Sequence, residues 1–264
     1  MKKQLSREAF EKLCAKERAG LCTAGELAAL EPYRVKRAVF LAAGFGSRMR
    51  PITLNTPKPL VRVHGKRLID GLIDAVLAAG IEEIIVVCGY LAEEFVVLKE
   101  KYPMIRLIEN PLYAETNNIS SAVAVKELLA GAYLCEADWL LRNPAVFRKY
   151  EYETHALGYP QEHCEDWCFT VEEGRILSHH KGGEGCWMQI GISFWDEEDG
   201  TRLGRQLQEV FESFPGGRDL FWEKVPLELK RDDYRVGIRE CGPEDVVEID
   251  SFAELQALDE AYLL

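Results

Sequence analysis

The length, composition and charge of the chain describe a globular protein and exclude several other classes. Its 264 residues, 47% hydrophobic and 29% charged, are enough for one sizeable domain and unlike a disordered or fibrous chain. A formal net charge of −12 disfavours nucleic acid and anionic membranes as partners. Because the amino terminus is charged and no long apolar window follows, we expect a cytoplasmic protein with eight reduced, mostly buried cysteines.

Residues 1–36 predict a short helical extension. Ser6 can cap a first helix, and Thr23 with Glu26 forms the capping-box pattern of a second. We expect this extension to be a packing arm or a homodimer contact. The alternative is a regulatory or DNA-binding module in a nucleotide-sensing protein, against which the acidic charge and the shortness of the segment argue.

Residues 37–264 predict a single main domain of the α/β class. Apolar runs alternate with amphipathic stretches from Arg37 onward, which indicates a Rossmann-like, mixed but mainly parallel sheet flanked by helices. After Asn143 the pattern is richer in strands, with a hairpin at Glu173-Gly174. Helices are predicted at residues 118–129, 201–214 and 220–228, and after Ser251.

The segment that follows the first strand reads LAAGFGSRMRPITLNTPKPL and begins at Leu41. Met49 replaces the third glycine of a dinucleotide-binding turn, and the chain has no P-loop. Gly44 and Gly46 can nevertheless bring backbone N–H groups close to a phosphate, and Arg48 adds a planar cation. Lys58, between two prolines, can neutralise a phosphorus centre under attack. The alternative is a tight strand-to-helix turn with solvated basic side chains.

This segment resembles the signature of the nucleotidyltransferases that make nucleotide-sugars and CDP-alcohols, and the likeness extends over about residues 37–258. The later segments NPLYAETNNISSA, EADW, DWCF, GISFWDEED, DLFWEKVP and VVEIDSFAEL are most similar to bacterial choline-phosphate cytidylyltransferases. The resemblance implies transfer of CMP from CTP to phosphocholine, giving CDP-choline and pyrophosphate. The nucleotide-binding residues expected from the motif and the resemblance are Leu41, Ala42, Ala43, Gly44, Gly46, Ser47, Arg48, Lys58, Asn117 and Asn118, with Lys58 and Arg48 as catalytic residues. Either asparagine could instead cap the following helix.

Two carboxylates stand at the carboxyl ends of predicted strands that are far apart in the sequence. Asp138 follows AYLCEA and Asp250 follows VVEI. The family resemblance implies that these two bind Mg²⁺, with Glu248 nearby; the alternative is that each caps the following segment. Glu136 stands where the family often has a second aspartate, which leaves its role open. Because a phosphate monoester is already largely dianionic at pH 7, we expect direct in-line attack without a general base.

Tryptophans with neighbouring acids are concentrated in the second half of the chain and suit a cationic acceptor. The expected substrate-binding residues are Trp167, Trp195, Asp196, Phe221, Trp222 and Glu223. Each aromatic could instead belong to the core. Phosphoethanolamine and 2-aminoethylphosphonate are alternative cationic acceptors, whereas a sugar 1-phosphate would need more directional polar groups.

The sequence also contains a loose group of thiols and imidazoles, which is a weak signal for structural zinc. Its C-x₃-C spacing and the lack of a second cysteine pair argue against a standard zinc motif. The members of this group are His163, Cys164, Cys168, His179, His180 and Cys186.

Overall fold

The computed structural model describes residues 5–263. The α-helices of this part are α1 (Arg7–Arg18), α2 (Ala24–Leu30), α3 (Leu68–Ala78), α4 (Leu98–Lys101), α5 (Ile119–Ala124), α6 (Glu197–Ser213) and α7 (Phe252–Leu258). The strands are β1 (Arg37–Ala42), β2 (Arg62–Val63), β3 (Lys66–Arg67), β4 (Glu83–Cys88), β5 (Arg106–Glu109), β6 (Ala132–Glu136), β7 (Trp139–Leu141), β8 (His155–Glu172), β9 (Arg175–Trp195), β10 (Gly237–Glu240) and β11 (Val246–Glu248). Within residues 5–263, no helix is long and apolar enough to cross a bilayer.

One seven-stranded sheet organises the chain, in the order β10-β8-β9-β6-β1-β4-β5. Strands β5, β4, β1 and β6 run parallel to one another, whereas β9 runs antiparallel to both β6 and β8. Strand β10 returns parallel to β8. This confirms the predicted Rossmann-like, mixed and mainly parallel sheet flanked by helices. The predicted division of the chain at residue 36 stays a prediction.

The central strands are buried on both faces, as the continuous apolar runs of a parallel sheet require. Alternation along β1 sends Phe40 into the core beneath α3 and sends Val39 into the core beneath α5 and α6. The buried face of α3 includes Ile69, Leu72 and Ile73, and that of α6 includes Leu203 and Leu207. The carboxyl ends of β1 and β6 are therefore held rigidly side by side.

The segment after α5 departs from the predicted helix at residues 118–129. Helix α5 ends at Ala124, and a 3₁₀ turn follows at Lys126–Leu128. Helix α6 crosses this segment so closely that a Cβ on Gly204 would lie 2.2 Å from the Lys126 carbonyl oxygen and one on Gly200 would lie 2.3 Å from that of Leu129. Tertiary packing therefore overrides the local preference for a continuous helix.

The other predicted elements differ mainly at their ends. Helix α6 begins earlier than residue 201 because Asp196 caps it, accepting hydrogen bonds from the N–H groups of Glu198 and Asp199. The helix predicted at 220–228 is a π-helical turn at Val225–Leu229 with a proline near its start. The hairpin at Glu173-Gly174 is confirmed, but its strands are 18 and 21 residues long and contain bulges.

The helical extension forms its predicted caps. Ser6 caps α1, and Thr23 and Glu26 form the capping box of α2. Phe10 of α1 packs with Tyr33 and with Tyr152 of the main domain, which anchors the extension to the sheet end. Residues 1–4 of the predicted extension lie outside the described residues. The capping box of Ser251 and Glu254 at the start of α7 is also confirmed.

Candidate active site

The glycine-containing loop after β1 forms one wall of a cavity of about 440 Å³. Gly46 has a φ of 57°, and a Cβ added there would lie 3.0 Å from the Cβ of Lys58. Only glycine suits both this backbone conformation and this close approach, so the loop folds back onto the proline-braced lysine. The cavity is lined by all ten residues expected to bind nucleotide, namely Leu41, Ala42, Ala43, Gly44, Gly46, Ser47, Arg48, Lys58, Asn117 and Asn118. Their binding of a nucleotide stays a prediction, and we call this space the nucleotide cavity.

Lys58 joins the two strand-end carboxylates at the floor of this cavity. Its Nζ donates hydrogen bonds to Asp138 Oδ2 at 2.8 Å and to Asp250 Oδ1 at 2.6 Å. Arg48 approaches the other oxygen of Asp250 at 2.8 Å. Burial lowers the pKa of Lys58, but the charge of Asp138 and the hydrogen bonds to both carboxylates outweigh it and raise that pKa. Lys58 is therefore a fixed ammonium at neutral pH.

The same carboxylates have the arrangement that a divalent cation requires. One oxygen from each of Asp138, Glu248 and Asp250 lies within 4.8 Å of the others. Asp138 Oδ1 is buried and has no hydrogen-bond partner, which leaves this oxygen available as a ligand. Oxygen ligands of this kind suit Mg²⁺, so the residues fit the ion that the sequence predicts. The ammonium of Lys58 contacts two of these three carboxylates.

Two asparagine side chains, those of Asn117 and Asn118, connect α5 by hydrogen bonds to the loop that precedes the π-helical turn. Asn117 Nδ2 donates to the Asp219 carbonyl at 3.2 Å, and Asn118 Oδ1 accepts from the Trp222 N–H at 2.8 Å. Asn118 is the N-cap residue of α5, but its side chain makes no capping hydrogen bond. The asparagines therefore connect the nucleotide cavity to the segment that carries Glu223, rather than capping the helix.

A second, smaller cavity of about 70 Å³ adjoins the first at Glu136, which lines both. Its walls are acidic and aromatic, and Trp167 stacks on His179 with a centroid distance of 4.7 Å while Phe221 meets the edge of Trp167 at 5.7 Å. We call it the acceptor pocket. It is lined by Glu136, Trp139, Asp166, Trp167, His179, Met188, Gln189, Gly191, Phe221, Glu223 and Glu248.

Three carboxyl groups of the acceptor pocket resist ionisation. Burial is the main cause and raises the pKa of Glu223 to about 7; burial together with Asp138 and Asp250 raises the pKa of Glu248 to about 8. Burial and the surrounding acids also raise the pKa of Glu136 well above its usual range. Glu223 Oε2 is buried without a hydrogen-bond partner. A bound cation would stabilise the ionised carboxylates, so the lining of this pocket favours a positively charged ligand.

The structure does not bring three of the expected substrate-binding residues into the acceptor pocket. Trp195 is only 1% exposed, packs in the core against α6 and donates its indole N–H to Ser193 Oγ at 2.9 Å. Asp196 caps α6, and Trp222 packs edge-on against Trp195 with a centroid distance of 5.9 Å. Trp195 turns to the core at the end of β9, and the turn at residues 221–223 directs Phe221 and Glu223 to the pocket and Trp222 to the core.

Several pocket residues are not among the expected substrate-binding residues, namely Glu136, Trp139, Asp166, His179, Met188, Gln189 and Gly191. Glu136 and Trp139 flank Asp138, and Gly191 leaves the space that they fill, since a Cβ there would lie 2.3 Å from Glu136 Oε2 and 2.7 Å from Trp139 Nε1. Asp166 is the chain neighbour of the expected residue Trp167. The segment EADW contained this signal, because alternation after the strand places Glu136 and Asp138 on the same side.

Comparison with known proteins agrees with this fold. Residues 37–138 match the Nucleotidyl transferase family. The 2-aminoethylphosphonate cytidylyltransferase of Lancefieldella rimae is 36% identical over 86% of this chain and 93% of its own length. The choline-phosphate cytidylyltransferase of Streptococcus pneumoniae is 35% identical over 85% of this chain and 97% of its own length.

The solved structure of CTP:phosphocholine cytidylyltransferase from S. pneumoniae superposes with a TM-score of 0.79 at 33% identity and covers 86% of this chain and 99% of that one. The fold and these likenesses thus define a nucleotide-dependent transferase, and the chain belongs to the nucleotidyltransferase family. Its full-length relatives support cytidylyl transfer as its activity.

Proposed function

We propose that this chain transfers CMP from CTP to a small acceptor that carries a phosphate or phosphonate at one end and a cationic nitrogen at the other. The observation that supports this proposal best is the acceptor pocket, which adjoins the nucleotide cavity at Glu136 and contains four acids in addition to aromatic walls. An uncharged sugar would leave these acids without a counter-charge and would lack the many directional polar groups that it needs.

The cavity residues divide the work of binding and charge neutralisation. The backbone at Gly44 and Gly46 and the guanidinium of Arg48 hold the triphosphate, and the Nζ of Lys58 neutralises charge at the α-phosphorus. The acceptor oxygen attacks that phosphorus in line, a new oxygen–phosphorus bond forms, and the bond to the β-phosphate bridging oxygen breaks to release pyrophosphate. No general base is needed, because a phosphate monoester is largely dianionic at pH 7.

The proposed metal ligands are Asp138, Asp250 and Glu248. Mg²⁺ held there would neutralise phosphate charge and orient the triphosphate. Phosphate oxygens could replace the aspartate oxygens as acceptors for the Nζ of Lys58. Because these oxygens are also anionic, they would keep the pKa of Lys58 raised, as Asp138 and Asp250 do.

The unpaired Glu223 Oε2 favours a primary ammonium in the acceptor. A buried carboxylate oxygen without a partner is costly, and a primary ammonium can donate three hydrogen bonds whereas a trimethylammonium can donate none. 2-Aminoethylphosphonate and phosphoethanolamine both provide this group, and the former is the acceptor in the name of one full-length relative. We therefore expect the ammonium end of the acceptor to lie between Glu223 and Glu136.

Phosphocholine, the acceptor expected from the family resemblance, is the second candidate. Trp167 and Phe221 are aromatic residues of the kind that bind quaternary ammonium groups, and the Trp167 ring already has the Nζ of Lys224 5.5 Å from its centroid. Choline-phosphate cytidylyltransferase is also the name of a full-length relative at 35% identity.

A pyrophosphate-release assay over four nucleoside triphosphates and four acceptors tests the proposal. With Mg²⁺ present, we expect CTP with 2-aminoethylphosphonate or phosphoethanolamine to react fastest, phosphocholine to follow and glucose 1-phosphate to react least. Fastest turnover with phosphocholine would select the second candidate. A preference for glucose 1-phosphate, or binding of DNA without binding of any nucleotide, would contradict the proposal.

A further inference from the structure

Three cysteine thiols meet inside the β8–β9 hairpin, away from the nucleotide cavity. The Sγ atoms of Cys164, Cys168 and Cys186 all lie within 4.8 Å of one another, and the three residues are buried with exposures of 4%, 0% and 3%. They line neither the nucleotide cavity nor the acceptor pocket. Three convergent thiols are the ligand type that Zn²⁺ prefers in structural sites.

An imidazole lies beside the three thiols. His180 Nδ1 lies 3.4 Å from Cys168 Sγ, although it is not within 4.8 Å of all three sulfurs. At tetrahedral angles, Zn–S bonds of ~2.3 Å and a Zn–N bond of ~2.0 Å separate sulfur from nitrogen by roughly 3.5 Å and sulfur from sulfur by roughly 3.8 Å. The distance from His180 Nδ1 to Cys168 Sγ matches this geometry, and metal binding would draw the imidazole and the other sulfurs closer together.

The second nitrogen of His180 is held as a metal-binding histidine requires. His180 Nε2 lies 3.1 Å from the hydroxyl oxygen of Thr170. With Nδ1 bound to a metal, Nε2 carries the proton and donates it to that hydroxyl, which fixes the tautomer and the ring plane. The present contact of Nδ1 with the Gly182 carbonyl, at 2.9 Å, would be given up on metal binding.

The backbone of the hairpin is shaped around the cluster. Gly182 and Gly185 have φ values of 73° and 58°, and the strand register shifts between Cys164 and Trp167. A Cβ added to Gly183 would lie 3.6 Å from both Cys186 Sγ and His180 Nδ1 and 3.0 Å from His180 Cε1. Glycine at this position therefore lets the loop close over the ligands.

We propose that Cys164, Cys168, Cys186 and His180 bind one Zn²⁺ ion as a structural site within the β8–β9 hairpin. Binding releases the thiol protons to solvent and involves no change of oxidation state. Of the six thiols and imidazoles that the sequence groups together, the other two lie elsewhere. His163 is exposed and pairs with Glu184, and His179 lines the acceptor pocket.

The zinc site would stabilise one wall of the acceptor pocket. This consequence rests on the proposed function, whereas the zinc site is argued independently of it. Cys168 and His180 are the chain neighbours of Trp167 and His179, whose stacked rings line that pocket. Met188 also lines it, and its Sδ lies 3.5 Å from Cys164 Sγ. Fixing the ligands fixes the backbone from which these pocket side chains project.

Elemental analysis of the untagged protein, purified without chelator, tests the site independently of activity. We expect one zinc per chain in the wild type and in the controls Cys22→Ser and Cys14→Ala, whose thiols lie outside the hairpin. Cys168→Ser and His180→Gln should lose the zinc. Folding of each variant is checked by CTP binding, because the nucleotide cavity shares no residue with the cluster.

Cobalt titration of the metal-free wild type provides a second measurement that needs no variant. We expect saturation at one Co²⁺ per chain, with thiolate-to-cobalt charge-transfer absorption that is displaced by Zn²⁺. A wild-type chain without zinc that also binds no Co²⁺ while its thiols are reduced would overturn the proposal. A disulfide between two of the three cysteines in freshly purified protein would likewise overturn it in favour of a redox role.

Discussion

The nucleotide cavity and the acceptor pocket share Glu136 but differ in how their charges are balanced. In the cavity, Lys58 and Arg48 already pair with Asp138 and Asp250. The acceptor pocket collects acids without a lysine or arginine among its lining residues, and burial lowers the pKa of its one imidazole, that of His179, while it raises the pKa of Glu136, Glu223 and Glu248. The charges of the cavity are therefore balanced within the chain, whereas those of the pocket lining are not.

The two regions also differ in the part of the chain from which they come. The phosphate-binding wall of the cavity is one local segment, residues 41–59, that contacts itself through Gly46 and Lys58. The acceptor pocket draws side chains from β7, from both strands of the long hairpin and from residues 221–223. Mutations can therefore separate nucleotide chemistry from acceptor recognition.

The largest expected effect is in the cavity. Lys58→Ala should lower kcat by roughly 100- to 1,000-fold, because it removes the charge proposed to stabilise the α-phosphorus in the transition state. Steady-state pyrophosphate release measures it, with the exposed Lys66→Ala as a control for loss of a lysine. A kcat within a few-fold of the wild type would remove Lys58 from the catalytic residues.

A smaller loss is expected from the metal ligands. Asp138→Asn should lower turnover less than Lys58→Ala and should move the Mg²⁺ titration of activity to higher concentration, because an amide is a weaker ligand for a hard cation. Titration of both enzymes with Mg²⁺ at saturating CTP measures the shift. Asp232→Asn, at an exposed carboxylate, serves as the control. Identical Mg²⁺ dependence would exclude Asp138 as a ligand.

Substitutions in the acceptor pocket should change the KM for the acceptor rather than kcat. Glu223→Gln should raise the KM for the aminoalkyl acceptor by about 10- to 100-fold, the value of a hydrogen bond to a charged group, and should leave the KM for CTP nearly unchanged. Exposed Glu212→Gln is the matched control. An equal rise in the KM for CTP would show that the two regions are not separable.

The smallest predicted effect is on stability. Glu223 has an ordinary pKa of 4.5 in the unfolded chain and about 7 in the folded one, so the folded state holds a proton in this window that the unfolded state releases. Stability therefore falls as pH rises from 4.5 to 7, by roughly 1–3 kcal/mol from this group. Urea unfolding at pH 5 and 8 should show a smaller decline in Glu223→Gln than in the wild type. Equal declines would contradict the buried-carboxyl assignment.

The sequence predicted the cavity better than the pocket, and the reason is physical. The ten expected nucleotide residues converge because a glycine turn, two prolines and the ends of parallel strands determine local geometry. Trp195, Asp196 and Trp222 did not reach the pocket because their direction depends on strand alternation and on where α6 begins. The bulges of β8 and β9 that align Trp167 with His179 follow from long-range pairing, which no single segment encodes.

The thiol cluster illustrates the same limit. The C-x₃-C spacing looked unlike a zinc motif because the sequence does not reveal that Cys186 pairs across the hairpin with Gln161, near Cys164. The register shift and the positive-φ glycines bring the thiols together.

Selection of a cation by the acceptor pocket can be measured with two acceptors of nearly equal size. 2-Aminoethylphosphonate and propylphosphonate differ chiefly in the terminal ammonium or methyl group. With CTP and Mg²⁺, we expect a kcat/KM at least roughly 1,000-fold higher for the amine, because the acids would otherwise be buried without a counter-charge. Equal kcat/KM values for the two acceptors would contradict it.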